Sequence, residues 1–198
     1  MLRLLALCSF VALVACDGTR VEFLLSDLKN DHGILTTGKR CDGRGSTRKC
    51  DTVITASIDT DTPSKAWPGY KPTSQWTKVL EADERESMAV NKIISKDICG
   101  SSSSRRSFDR ANLRVLVADK DPGNKFSPIE QFECMSGREV ATRRGSSDWS
   151  PVQPCKAKFN PDKVKLNYQW RAYPISNSEC NQPVGDDKPS YGRRTYYN

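Results

Sequence analysis

Hydrophobic positions along this chain alternate with polar ones and rarely recur at helical spacing. The clearest stretch is 163–173. Val164, Leu166, Tyr168, Trp170 and Ala172 share one parity, and Lys163, Lys165, Asn167, Gln169 and Arg171 share the other. A period of two predicts a half-buried antiparallel strand with a basic, solvated face. A second stretch, LRVLVADKD from Leu113, sets Leu113, Val115 and Val117 against Arg114, Leu116 and Ala118. It is apolar on both faces near its end, as a central strand is, and runs into Asp119-Lys120-Asp121 and the turn residues Pro122-Gly123-Asn124. Shorter runs at 21–26, 51–59, 75–80, 90–98 and 129–134 read as further strands. Between them lie turn-rich segments: 27–38, the Pro-rich 61–73, the acidic 81–87, Ser101 to Ser104, and the Gly-, Ser- and Arg-rich 136–154 with Trp149. Many short strands with turn signals and no amphipathic helix predict an all-β chain, an antiparallel β-sandwich.

The first residues change the picture of where the chain works. Arg3, an apolar run from Leu4 to Val14 and small residues at Ala15-Cys16 form a secretory leader, expected to span 1–16. The run is short for a bilayer span, and polar Asp17-Gly18 follows it. Cleavage after Cys16 leaves six cysteines: Cys41, Cys50, Cys99, Cys134, Cys155 and Cys180. That even number in a secreted chain reads as a disulfide framework. Cleavage after Ala15 would leave Cys16 as an odd thiol, and Leu13-Val14-Ala15-Cys16 also has the form of a lipoprotein signal. Cys41–Cys50 is the first expected pair, because turn residues fill the loop between them. The other four cysteines allow three connectivities, of which Cys134–Cys155 with Cys99–Cys180 is taken as the working set. One sandwich is expected over 17–180, with a polar, disordered tail over 181–198.

The net charge is +7 and falls by one with the leader, whose charged residue is Arg3. A basic secreted chain favours acidic partners such as phospholipid headgroups, and its compartment argues against nucleic acid. Catalysis is not expected. The single histidine, His32, lies in a loop, no serine sits in a nucleophile-elbow context, and the cysteine spacings do not match a zinc site. No small-molecule substrate is implied. Gly192-Arg193-Arg194 has the form of a dibasic processing signal. The Asp119-x-Asp121 pair at a strand end is the candidate chemistry. Two neighbouring carboxylates suit a hard cation with oxygen ligands, calcium above all, although Asp, Pro, Gly and Asn also make ordinary turns.

Four segments in this order resemble a known module. They are Phe23-Leu24-Leu25-Ser26 with Asn30, Gly33, Leu35, Gly38 and Cys41; Cys50-Asp51-Thr52; Arg106-Ser107-Phe108 with 113–118, Asp119 and Asp121; and Trp149 with Leu166-Asn167-Tyr168 and Arg171 running to Cys180. The chain resembles the N-terminal (MNNL) domain of Notch ligands of the Delta, Serrate and Jagged type, a C2-like sandwich, over about Val21 to Cys180. The resemblance covers that module without the cysteine-rich (DSL) and EGF modules. It implies an extracellular binding module that modulates Notch signalling or meets membrane phospholipid, with a Notch-type receptor or anionic phospholipid as partner. It also implies loops that bring Asp31 and Asp51 beside Asp119 and Asp121 to hold calcium. Lys29, Lys39 and Arg40 are the expected headgroup contacts, and Trp149 is the interface candidate in its basic loop. A secreted β-sandwich binding protein unrelated to Notch is the alternative.

Overall fold

A computed structural model of the chain describes residues 18–41, 49–100, 108–123, 125–142 and 147–182. The expected leader, the Ser101 to Ser104 loop and Gly192-Arg193-Arg194 lie outside the described residues, as does the tail apart from Asn181 and Gln182.

Two antiparallel sheets face each other. Nine strands build them: β1 (Gly18–Asn30), β2 (Thr52–Asp59), β3 (Thr77–Ala82), β4 (Met88–Cys99), β5 (Asn112–Asp121), β6 (Lys125–Met135), β7 (Gln153–Pro154), β8 (Lys156–Ala157) and β9 (Val164–Ile175). The first sheet has the order β4-β1-β9-β7 and the second β3-β2-β5-β6-β8. The fold is a C2-like antiparallel β-sandwich. Its core is the shared inner parity of the long strands. Phe23, Leu25, Leu28, Leu166, Tyr168 and Trp170 come from the first sheet, and Ile54, Val115, Val117 and Phe132 from the second. Burying apolar faces of this kind is the main stabilising term in a sandwich. The Tyr168 hydroxyl crosses between the sheets and donates to the Met135 carbonyl at 2.6 Å, and burial pushes its pKa up to about 12.

Most strands run longer than the periodicity predicts, while β3 is shifted to Thr77–Ala82 from the expected 75–80 and β2 starts one residue later than expected. β1 continues through Asp27 to Asn30, past a bulge between Leu25 and Leu28 where its register with β9 shifts. Asp27 stays in a strand because Asn167 of β9 donates its amide to it at 3.1 Å. β5 continues through Asp121, and β6 begins at Lys125, so 119–121 pair with 125–127 as a hairpin. Backbone pairing decides this, and composition does not record it. The long free edge at β4 is protected by charge. Lys92 and Lys96 sit on the rungs of Leu25 and Val21, the inner parity, and Lys96 Nζ donates to the Ile58 carbonyl at 3.3 Å. Inward-pointing lysines at an edge discourage pairing with another chain.

Three disulfides staple the fold. Cys41–Cys50 closes the loop between β1 and β2, Cys134–Cys155 fixes β6 to the β7–β8 link, and Cys99–Cys180 ties the end of β4 to the C-terminal turn. These are the pairs expected from the sequence. Among the described residues no helix is long and apolar enough to cross a membrane.

Candidate functional site

The antiparallel registers bring Asn30, Thr52, Asp121, Lys125 and Val164 to one end of the sandwich, here called the tip. All four predicted carboxylates lie there, and each has a local use. Asp119 is 2% exposed, and its Oδ1 accepts the Asp51 backbone N–H at 2.7 Å. Asp51 Oδ1 in turn accepts the Glu84 N–H at 2.8 Å, which holds the β3–β4 turn. Asp121 Oδ2 accepts the Ser127 hydroxyl at 2.7 Å across the hairpin. Asp31 Oδ1 accepts the Ser87 hydroxyl at 3.0 Å, while the same Ser87 oxygen receives the Asn30 N–H.

Calcium takes ~6–8 oxygens in one place, and the four carboxylates do not form one tight cluster among the described residues. Among the described residues the one group of three acidic, cysteine or histidine ligand atoms within 4.8 Å of one another is Cys41, Cys50 and Asp119. Its two sulfurs are joined in a disulfide and are not thiolates. Asp119 therefore packs beside the bridge and fastens the start of β2. Asp31, Asp51 and Asp121 do not join it in such a cluster. Each carboxylate has a local donor instead: backbone N–H groups for Asp119 and Asp51, serine hydroxyls for Asp31 and Asp121.

A fifth carboxylate, not anticipated from the sequence, organises the tip. Glu130 is 0% exposed in β6. Its Oε1 accepts the N–H groups of Gln131, Lys158 and Phe159 at 2.9, 3.1 and 2.9 Å, and its Oε2 accepts that of Asn160 at 2.6 Å. One carboxylate thus shapes the whole turn between β8 and β9. The available signal was a lone Glu inside the apolar run Ile129 to Phe132. Where that turn leaves the sheet, Phe159 stands 44% exposed, and at the start of β6 Phe126 is 54% exposed. Lys158 Nζ lies 5.2 Å from the Phe159 ring centroid. Sequence reasoning missed both phenylalanines. Their signal was an aromatic beside turn chemistry, Asn124-Lys125-Phe126 and Phe159-Asn160-Pro161.

Of the acids at the tip only Asp119 and Glu130 are buried; Asp31, Asp83, Glu84 and Asp162 are exposed beside exposed lysines. Lys29, Lys39, Lys125 and Lys163 are exposed and have no carboxylate partner among the described residues. Arg40 lies 4.0 Å from Glu86. Lys120 is not free for a headgroup: together with Lys78 it is paired to Glu81, whose pKa these two hydrogen bonds, Lys120 first, pull down to about 2. Trp149 belongs to the opposite end, stacked on Arg171 with 4.3 Å from guanidinium carbon to ring centroid. Arg171 in turn donates to buried Glu22 at 2.6 Å. The structure thus separates Trp149 from Lys29, Lys39 and Arg40.

These features define a C2-like sandwich with exposed lysines and acids at its tip. No family profile and no curated protein sequence matches the chain. Solved structures do. A C2 domain protein from Ramazzottius varieornatus superposes with a TM-score of 0.71 at 26% identity, covering 86% of this chain and 96% of that one. A Drosophila structure described as C2-DSL-EGF1 superposes with a TM-score of 0.50 at 17% identity, covering 78% of this chain and 67% of that one.

Proposed function

We propose that the protein is a secreted binding module of the Notch-ligand N-terminal type that docks on anionic phospholipid at the cell surface. The observation that carries this reading is the charge arrangement of the tip. Lys29, Lys39, Lys125 and Lys163 are exposed at one end of a C2-like sandwich, and none is ion-paired to a carboxylate among the described residues. Surface cations concentrated in this way attract an anionic bilayer and respond to ionic strength. Secretion is supported by the leader-like start and by the use of all six remaining cysteines in bridges, which leaves no thiol when cleavage follows Cys16. N-terminal sequencing of secreted protein should begin at Asp17.

Flotation of the mature protein with phosphatidylserine-containing and phosphatidylcholine-only vesicles tests the lipid reading. Binding should need the anionic lipid and weaken as salt rises. Equal recovery on both vesicles, or recovery on neither, sinks it. The Drosophila C2-DSL-EGF1 match favours a second reading, contact with a Notch-type receptor, for which Trp149 and Arg171 at the far end offer the surface. Capture by receptor-bearing cells, lost on Trp149→Ala with vesicle binding unchanged, distinguishes it.

A further inference from the structure

We propose that a cleft between the two sheets, on the side where β3 stops short, is a binding site for a small apolar carboxylate. β3 pairs with β2 only as far as the Ala56–Thr77 rung, while β2 runs on to Asp59. Ser57, Ile58 and Asp59 therefore have β5 on one side and no strand on the other among the described residues. β4 is the edge of the facing sheet. Between these two edges lies an open cleft of about 400 Å³, away from the lysines of the tip. Ala56, Ile58 and Ile94 give it an apolar lining, and the 60–76 loop flanks it with Pro68 and Tyr70. Tyr70 is 81% exposed, with Lys65 Nζ 5.6 Å from its ring centroid. The loop is fastened at several points. Arg114 holds the carbonyls of Pro63 and Lys65, and the buried Trp76 indole donates to the Lys71 carbonyl at 2.9 Å. A concave, largely apolar site of this size with a few fixed polar groups is the usual form of a small-ligand pocket.

The polar groups of the cleft select an anion. Lys96 stands on the inner parity of β4, half-buried, and its ammonium donates to the neutral Ile58 carbonyl at 3.3 Å. An ammonium has three donors, and no carboxylate meets this one among the described residues. Lys71 is exposed and lines the same cleft. So does Arg114, which is 1% exposed and whose Nε–H has no acceptor in the protein. Two carboxylates are present as well. Asp59 is engaged by Arg114 at 3.5 Å and by the Thr62 N–H at 2.8 Å. That leaves Lys71 and Lys96 against Asp61, so positive charge is in excess. A carboxylate on an apolar body suits this lining. The lysines supply charge-assisted hydrogen bonds to its oxygens, and Ile58, Ile94 and Tyr70 cover its apolar part. Such a group is carried by a free organic acid or by the C-terminal residue of a peptide.

The test is amide NMR of the full mature chain titrated with indole-3-propionate. Shifts should centre on 56–59 and 94–96, with a Kd below about 1 mM. Indole-3-propionamide, alike in shape but uncharged, should bind at least about tenfold more weakly. Lys71→Gln and Lys96→Gln should each reduce that preference for the acid, and Lys96→Arg should keep it. Lys71 is exposed, so its variant folds even if Lys96→Gln disturbs the edge. Asp61→Asn should tighten binding of the acid and leave the amide unchanged. A short peptide ending in Trp, with a free or an amidated C-terminus, separates the two sources. A free-ended peptide that binds more tightly than indole-3-propionate assigns the site to peptide ends, and the reverse order assigns it to a free acid. Four results overturn the proposal: equal binding of acid and amide, shifts centred elsewhere, an undiminished preference in both lysine variants, or no shift with acid or peptide up to about 10 mM. Vesicle flotation should be the same for all these variants, so failure at the cleft leaves the lipid reading standing.

Discussion

The two ends of the sandwich solve the same problem with opposite charges. At the tip, turns expose backbone N–H groups, and buried carboxylates meet them: Glu130 takes four and Asp119 takes that of Asp51. At the base, segments that fold over the sheets expose carbonyls, and buried arginines meet those. Arg114, 1% exposed, donates to the carbonyls of Pro63 and Lys65 and pairs with Glu133 at 2.8 Å, which holds the 60–76 loop against the second sheet. Arg20 donates to the carbonyls of Glu179 and Gln182 and forks onto Asp97 at 2.6 and 2.9 Å, which holds the C-terminal turn against the first. Which buried charge fastens a segment follows from which backbone groups that segment leaves unpaired.

The sharpest way to break this comparison is at the base. Arg114→Met removes the donor from Glu133, Asp59 and two carbonyls in a buried setting and should cost about 3 kcal/mol. Urea unfolding measures that loss, and amide exchange should show the 60–76 loop opening while vesicle binding stays unchanged. The loop packs tightly on this side chain: a Cβ at Gly69, which has φ +89°, would lie 2.7 Å from Arg114 Nε.

At the tip, Glu130→Gln keeps the shape but replaces one charged acceptor with an amide that presents an NH2 to N–H groups. A cost of about 2 kcal/mol is expected in the same measurement. Amide exchange should show the turn between β8 and β9 opening, and unchanged protection there would show that the turn does not depend on Glu130. Asp119→Asn keeps the Oδ1 acceptor for Asp51 and should cost only about 1 kcal/mol, with a melting temperature that calcium shifts in neither form.

The smallest effect concerns Glu81. Its pKa is lowered from 4.5 to about 2 by Lys120 and Lys78. A depressed carboxylate contributes stability that is present above its unfolded pKa and is lost as pH falls through its folded one. Wild type should therefore lose stability between about pH 4.5 and pH 2 slightly more steeply than Glu81→Gln, read from urea midpoints across that window. The pair is exposed, so the difference should be near the limit of measurement.

Alternation was enough to place the long strands, though not the limits of β3 or the two-residue β7 and β8. Each residue's parity in 163–173 is its parity in β9, since a pleated strand must send successive side chains to opposite faces whatever surrounds it. Cysteine parity likewise announced the framework, and turn chemistry between Cys41 and Cys50 announced its shortest loop. The fate of charged side chains was not legible in this way. Asp119 and Asp121 look alike in the sequence, yet one is buried against a disulfide and the other lies on a hairpin. What separates them is an N–H 68 residues away that happens to face Asp119. Arg114 reads as an outward strand residue, yet the 60–76 loop covers it. Which backbone donors and acceptors a turn leaves unpaired is set by its three-dimensional path and carries no residue-type signature. The chain could therefore specify the sandwich by local pattern, while only the tertiary structure decided that Asp119 and Glu130 turn inward onto backbone N–H groups.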